Sequence, residues 1–332
     1  MTRRLTLLLT LFVGVVGSSV ASGDEPSANP LEGFNLPVPT LGGKQLWADQ
    51  LVYGQWRVQR NTVTGRSRLL DGDNRRHASG SFEDCRMRLI EISRERDLPT
   101  LRPRVVLVLH GLGRSRSSMG SLCRYLRQNP DWTVMTFGYP STQGSIADHA
   151  HSLGQVVENF DGVTEVNLVA HSLGNLVARR WMHDVARRDN DTREWRLGRF
   201  VMLGPPNHQP QLARLLTPLD KDGLVAGEAV RELGVGWPEI ADTLATPECA
   251  FGIIAGGTGD GGFNPLIAGD DDAVVGVETA RLAGADDFRL VRVEHTFIMD
   301  DTRVQQLTRR FLETGCFETA EAAQPIEAQA SE

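Results

Sequence analysis

The sequence predicts an α/β protein whose mostly parallel central sheet carries helices on both faces, with an antiparallel N-terminal edge. Three observations lead there. From Val105 onward, short apolar runs alternate with segments of helical spacing, the order expected of a parallel sheet wrapped by crossover helices. The runs themselves, such as Val105-Val106-Leu107-Val108-Leu109, are apolar without alternation, as strands buried on both faces are. Between Leu46 and Ile92 the pattern is instead period two, the mark of strands with one wet face.

In that first region, Trp56-Arg57-Val58-Gln59 and Cys85-Arg86-Met87-Arg88-Leu89 alternate apolar with polar and read as antiparallel strands. Leu70-Asp71-Gly72-Asp73-Asn74 is a turn between them, and His77 beside it reads as a surface residue. After Val105–Leu109 come His110-Gly111-Leu112-Gly113 and a helix marked by Met119, Leu122, Cys123 and Leu126. Thr133–Phe137 is the next strand and runs into Gly138-Tyr139-Pro140-Ser141. Ile146, Ala150, Leu153, Val157 and Phe160 mark one face of a helix. Val166–Ala170 is a strand, with a helix behind it through Leu173, Leu176, Val177, Trp181 and Val185. Phe200–Leu203, Phe251–Ala255 and Leu290–Val293 complete the strands, and Val304, Leu307, Phe311 and Leu312 mark a closing helix.

The chain has 332 residues and a formal net charge of −7, enough for one large domain and without the basic surplus that nucleic-acid binding needs. Residues 1–21 read as a signal peptide. Arg3 and Arg4 precede an apolar stretch, Leu5–Val16, too short for a comfortable membrane span, and Ser19-Val20-Ala21 offers a cleavage site near Ala21. The expectation is an exported protein, periplasmic or extracellular. Residues 22–45 read as a linker, 46–317 as the single domain, and 318–332 as a disordered acidic tail with four glutamates and no basic residue. Cys85, Cys123, Cys249 and Cys316 permit disulfides in an exported protein, and buried free thiols equally. No metal-ligand spacing is present, and neither metal nor organic cofactor is expected.

In open α/β sheets the informative residues lie just beyond the strands' carboxyl ends. Ser172 lies there, flanked by Ala170 and Gly174 and followed at once by a helical pattern. That is the composition of a sharp strand-to-helix turn that lifts a serine hydroxyl above a sheet. A serine is a weak nucleophile unless a base, an orienting acid and oxyanion donors surround it. Ser172 is followed by acids around Asp270 and then by His295, the order Ser, acid, His.

His110-Gly111-Leu112-Gly113, Ala170-His171-Ser172-Leu173-Gly174, Asp272-Ala273-Val274-Val275 and His295-Thr296-Phe297 occur in order, each after an expected strand. With these four pieces the chain resembles bacterial secreted lipases and esterases of the α/β-hydrolase superfamily, and more distantly the GPI-inositol-deacylase-like lipases. The resemblance implies an α/β-hydrolase fold, with Ser172 as nucleophile and His295 as general base. It also implies the backbone N–H groups of Leu112 and Leu173 as oxyanion donors. Asp272 fits the family's register of an Asp, a small residue and two aliphatics, with Asp270, Asp271 and Asp260 as alternatives. Ala273 and Glu294 stand where relatives often have glycine. Tyr139, Asn207 and His208 follow strands and are candidates for the substrate pocket. The connection 204–250 either forms a lid, with Leu212, Leu215, Leu216, Leu219, Leu224 and Trp237 as an apolar roof, or packs on the sheet.

The expected activity is carboxylic-ester hydrolysis through an acyl-enzyme, on a small-molecule or lipid ester and with transient lipid-surface contact. Thioester or amide hydrolysis, acyl transfer, and a non-catalytic binding module on the same fold stay open. Oligomeric state is not readable.

Overall fold

The structure, a computed structural model, describes residues 38–39, 44–188, 194–211 and 227–327. The expected signal segment, nearly all of the linker, Leu212, Leu215, Leu216, Leu219 and Leu224, and residues 328–332 lie outside the described residues.

The N-terminal strands form a sheet of their own. Strands β1 (Val38–Pro39), β2 (Trp47–Tyr53), β3 (Trp56–Asn61), β4 (Ser67–Leu70) and β5 (Arg75–Gly80) pair antiparallel in the order β1-β5-β4-β3-β2. Helix α1 (Phe82–Glu95) closes one face, where Leu51, Trp56, Val58 and Leu69 pack with Cys85, Leu89 and Ile92. Cys85–Leu89, expected as a strand, therefore lies inside a helix. Cys85 and Leu89 satisfy period two, but with Ile92 they also make the i, i+4, i+7 stripe of a helix. A capping box decides between the two. The Ser81 hydroxyl accepts from the Asp84 N–H, and the Asp84 carboxylate accepts from the Ser81 N–H. His77 is a second correction, being buried and bonded to Asp71 at 2.8 Å.

The central sheet has six strands, all parallel: β6 (Arg104–Leu109), β7 (Trp132–Phe137), β8 (Glu165–His171), β9 (Arg196–Leu203), β10 (Ala250–Gly256) and β11 (Asp287–Val291). Their order is β11-β10-β9-β8-β6-β7. The last strand thus begins before the expected Leu290. From β6 the chain moves to one side to make β7, then crosses to the other side for β8 onward. The strand order reverses between β6 and β8, which is where such sheets leave a crevice. Leu109 and Ala170 are level in that pair, so the segments after both strands emerge side by side.

Both sheet faces are covered, which explains the unbroken apolar runs. Val105, Leu107, Leu109, Leu168 and Ala170 pack under α3 (Ile146–Glu158) and α4 (Leu173–Ala186). Val106, Val108 and Val169 pack under α2 (Gly120–Leu126) and α8 (Thr302–Thr314). Three shorter helices, α5 (Glu228–Leu233), α6 (Trp237–Ala241) and α7 (Val277–Ala280), lie between β9 and β11. In the described part of the expected lid, Ala229, Leu233, Ile240 and Leu244 are buried in the main core, and Trp237 packs against it. No helix among the described residues is long and apolar enough to cross a membrane.

Residues 318–327 are largely exposed, as an acidic tail should be, but they are ordered where disorder was expected. The Asp287 carboxylate accepts from the N–H groups of Phe317 and Gln324, and Ile326 exchanges backbone hydrogen bonds with Gly284 and Ala285. Phe317 is buried against Phe311. Composition alone misleads here, because the segment is held by backbone groups and one aromatic. All four cysteines are free, and burial pushes the thiols of Cys85 and Cys123 up to about 11.

The two sheets meet at Asp49. Its N–H donates to the Gly138 carbonyl at 2.8 Å, and its carboxylate accepts from the Gly138 N–H at 2.6 Å and from Gln59 Nε2 at 2.7 Å. The side chain is fully buried, and burial raises its pKa against the opposing pull of Arg57 and Arg116. Asp49→Ala leaves two buried donors unpaired and removes the counter-charge of Arg57. The expected cost is about 3 kcal/mol, read as a lower urea midpoint at unchanged slope.

Candidate active site

The elbow is built from β8 and α4. Ser172 has φ +54° and ψ −123°, a conformation that costs an L-residue about 1–3 kcal/mol unless its surroundings enforce it. Here they do. The Ser172 N–H donates to the Leu203 carbonyl at 3.0 Å, and Asn175 Nδ2 donates to the Ser172 carbonyl at 2.9 Å. Gly174 makes the turn sterically feasible, since a Cβ there would sit 2.8 Å from the His110 carbonyl oxygen.

His295 follows β11 and opens a short 3-10 turn (His295–Asp300). Its Nε2 lies 2.9 Å from Ser172 Oγ and its Nδ1 2.7 Å from Asp272 Oδ2. With Nδ1–H donating to the carboxylate, Nε2 is left to accept the serine proton. The other Asp272 oxygen accepts from the N–H groups of Val274 and Val275, at 3.1 and 2.7 Å. The His295 N–H donates to the Asp272 carbonyl at 2.8 Å, so backbone and side chain both tie the two residues together. Gly204, at φ +50° just after β9, leaves room for them. A Cβ there would lie 3.1 Å from both Asp272 Oδ2 and His295 Nδ1.

The three consecutive aspartates have separate tasks. Asp270 accepts from the N–H groups of Thr258 and Gly259, and although burial works against it, those donors hold its pKa down. Asp271 is buried and accepts from the N–H groups of Ala273, Asn264 and Phe263, with burial nevertheless raising its pKa. These two shape the loop, and Asp272 is the one turned to His295. Asp260 is occupied with Thr258 Oγ1. Ala273 has φ +82°, which accounts for the glycine expected at that position. Its carbonyl accepts from Asn264 Nδ2.

The His110–Gly113 turn after β6 lies against the elbow. A Cβ on Gly111 would come within 2.9 Å of the Ser172 Cβ. Among the described residues, the N–H groups of Leu112 and Leu173 donate no hydrogen bond. The turn is braced from behind by His110, whose Nδ1–H donates to the Gly111 carbonyl at 2.9 Å. Tyr139 stacks on that ring at 4.3 Å and donates its hydroxyl to the His110 carbonyl at 2.5 Å.

The three expected pocket residues differ in burial. Tyr139 is buried as this brace. Asn207 is buried and bridges the sheet's neighbours, donating to the Ala280 carbonyl and accepting from Arg179. His208 is exposed, and its backbone donates to Thr279. His171, next to Ser172 in the sequence, is brought to the site: its Nε2–H donates to the His295 carbonyl at 3.1 Å and its ring lies 4.6 Å from the His295 ring. It is a positioning residue whose only signal in the sequence is its place beside Ser172.

No protein-family model matches this chain, and no curated protein does. Among solved structures, the lin2722 gene product of Listeria innocua is 17% identical, covering 70% of this chain and 99% of that one, with a TM-score of 0.47. Esterase Pf2001 of Pyrococcus furiosus is 13% identical over 84% of this chain and 98% of its own, with a TM-score of 0.43. Phospholipase PlaB of Legionella pneumophila is 17% identical over 67% of this chain and 60% of its own, with a TM-score of 0.46. The fold is read from this chain's own topology. The reversal between β6 and β8, the elbow after β8 and the order Ser, Asp, His beyond β8, β10 and β11 are those of the α/β-hydrolase fold.

Three histidines are buried near the elbow, His110 in the turn before it, His171 beside Ser172 and His149 behind Tyr139. Burial is the main cause in each case, lowering His110 and His149 to about 4 and His171 well below its ordinary range. For His171 the neighbouring His295 and Arg114 add to the effect. All three stay neutral in the fold but take up protons near pH 6.5 once the chain unfolds. Below that pH the unfolded chain binds more protons, so stability falls as pH drops from about 6.5 toward 4 and is level just above about 7. The thermal midpoint should trace that decline, and a midpoint flat across the window would contradict it.

Proposed function

We propose that this chain hydrolyses carboxylic esters through an acyl-enzyme. The observation that carries the reading is the continuous hydrogen-bonded path from Ser172 Oγ through the His295 ring to Asp272. In the first half-reaction Ser172 Oγ attacks the ester carbonyl carbon while its proton passes to His295 Nε2. Asp272 keeps the ring in the required tautomer and stabilises the imidazolium. The carbonyl oxygen becomes an oxyanion and takes the two free N–H groups of Leu112 and Leu173, the second at the N-terminus of α4. The C–O bond to the alcohol then breaks, and Nε2–H supplies the proton that the alcohol leaves with. In the second half-reaction water repeats the attack on the acyl-serine, with His295 again as base, and free Ser172 returns. His171, held neutral by burial, orients His295 without adding a positive charge beside the forming imidazolium.

The first test is hydrolysis of p-nitrophenyl esters from acetate to palmitate. Wild-type protein should turn over part of the series, Ser172→Ala should not rise above background, and the chain-length optimum identifies the acyl group. A fluorophosphonate probe should label wild-type protein and leave Ser172→Ala unmodified. Failure to label folded wild-type protein would give the fold to ligand binding instead. Asp272→Asn should lower kcat by about 10⁴-fold at near-normal stability, because an amide favours the wrong imidazole tautomer. Full activity in that variant would remove Asp272 from the mechanism.

A further inference from the structure

A depression of about 520 Å³ opens directly beyond the oxyanion turn, lined by Gln45, Gly113, Arg114, Ser115, Ser117 and Ser118. Its lining contains one guanidinium, three hydroxyls and an amide, and no carboxylate. Some arginines of this chain are paired with acids, as Arg86 is with Glu83 and Arg88 with Glu91, and others spend their donors on carbonyls, as Arg179 does on Ala245 and Leu244. Arg114 forms no ion pair among the described residues. Of its five N–H donors, Nη2 bonds the Thr296 carbonyl at 3.1 Å, and Nε is buried without a partner. Its backbone is fixed as well, since Gln45 Nε2 donates to the Arg114 carbonyl at 3.1 Å. A charged, half-buried and mostly unspent guanidinium on a fixed backbone is a built anion acceptor.

Its position gives the acceptor a use. Arg114 lies three residues beyond Gly111, which abuts Ser172, and it holds the residue after His295. It therefore sits on the histidine side of the nucleophile, where the departing alcohol takes its proton. Its charge already reaches the site, contributing to the depressed pKa of His110 and His171.

We propose that this depression is an anion subsite, and that the ester cleaved carries a phosphate or carboxylate on its alcohol portion, bound by Arg114. The proposal rests on the serine-ester reading above. An alcohol bearing such a group gains charge-assisted hydrogen bonds from Arg114. That should raise kcat/KM by about 10- to 100-fold over the uncharged analogue at low salt. The advantage should shrink as salt screens the pair.

The test compares three butyrate esters on the same protein: 1-butyrylglycerol, 1-butyrylglycerol 3-phosphate and 3-butyryloxypropanoate. Wild-type protein should favour one or both charged esters at least tenfold, and the better of the two identifies the anion. Arg114→Gln should erase the preference, and Arg114→Lys should keep part of it. Equal kcat/KM for charged and neutral esters in wild type, or a preference surviving in Arg114→Gln, overturns the subsite while leaving ester hydrolysis standing. If wild type cleaves none of the three and resists the fluorophosphonate, the hydrolase reading fails, and calorimetry on Ser172→Ala still decides the subsite. Saturable binding of glycerol 3-phosphate, abolished by adding Arg114→Gln, supports it, and absence of binding overturns it.

Discussion

The left-handed backbone at Ser172 is the constraint on which the rest of the site depends. A serine at the end of an ordinary strand would point into one face of the sheet and be covered by a helix. The reversal of chain direction at φ +54° instead sets the hydroxyl at the crest and starts α4 directly behind it. Its cost is offset by hydrogen bonds on both sides of the turn. The Leu203 carbonyl, in the last pair of β8 with β9, accepts the Ser172 N–H, and Asn175 closes the turn from the helix side. Close packing then propagates outward. Gly174 touches the His110 carbonyl, which is itself bonded by the Tyr139 hydroxyl, and Tyr139 follows the Gly138 that Asp49 anchors. Through that chain of contacts the antiparallel N-terminal sheet supports the His110–Gly113 turn without supplying a residue to it.

The acid loop after β10 solves a second problem, that of holding one carboxylate toward His295 in a region dense with acids. Three adjacent aspartates would repel one another if all faced the same way. Asp270 and Asp271 are turned outward from that direction and satisfied by backbone N–H groups, which fixes the loop's path and leaves Asp272 aimed inward. The left-handed Ala273 is the point at which the chain swings round to make this arrangement.

Much of this was legible in the sequence, and the failures have physical reasons. Ser172 and His295 were singled out by the motifs around them and the resemblance those motifs carry, with apolar periodicity placing each beyond an expected strand. Asp272 could be preferred only by register, because the hydrogen bonds that separate it from Asp270 and Asp271 arise from a folded loop. Tyr139 and Asn207 were placed correctly after their strands but turned into the core, and a position along a chain does not state a side chain's direction. Over the five residues Cys85–Leu89, the strand and helix periods coincide at both ends, so a cap upstream decided the element. His171 and Arg114 carry no pattern of their own; each acquires meaning from a carbonyl of the 295–296 segment, more than a hundred residues away.

The docked segment 317–326 has a consequence for how the chain survives its own synthesis. β11 is the outer strand of the parallel sheet, and an outer strand offers unpaired backbone groups to any extended chain nearby. In the finished protein Phe317 and Gln324 are fastened to Asp287 of that strand, Arg289 of the same strand bonds the Ala322 carbonyl, and Ile326 pairs with the residues just before it. All of these groups lie downstream of β11. A nascent chain that has just completed its sixth parallel strand is therefore bare on that side until the ribosome releases the residues that cover it. That interval is when a chaperone has most to protect.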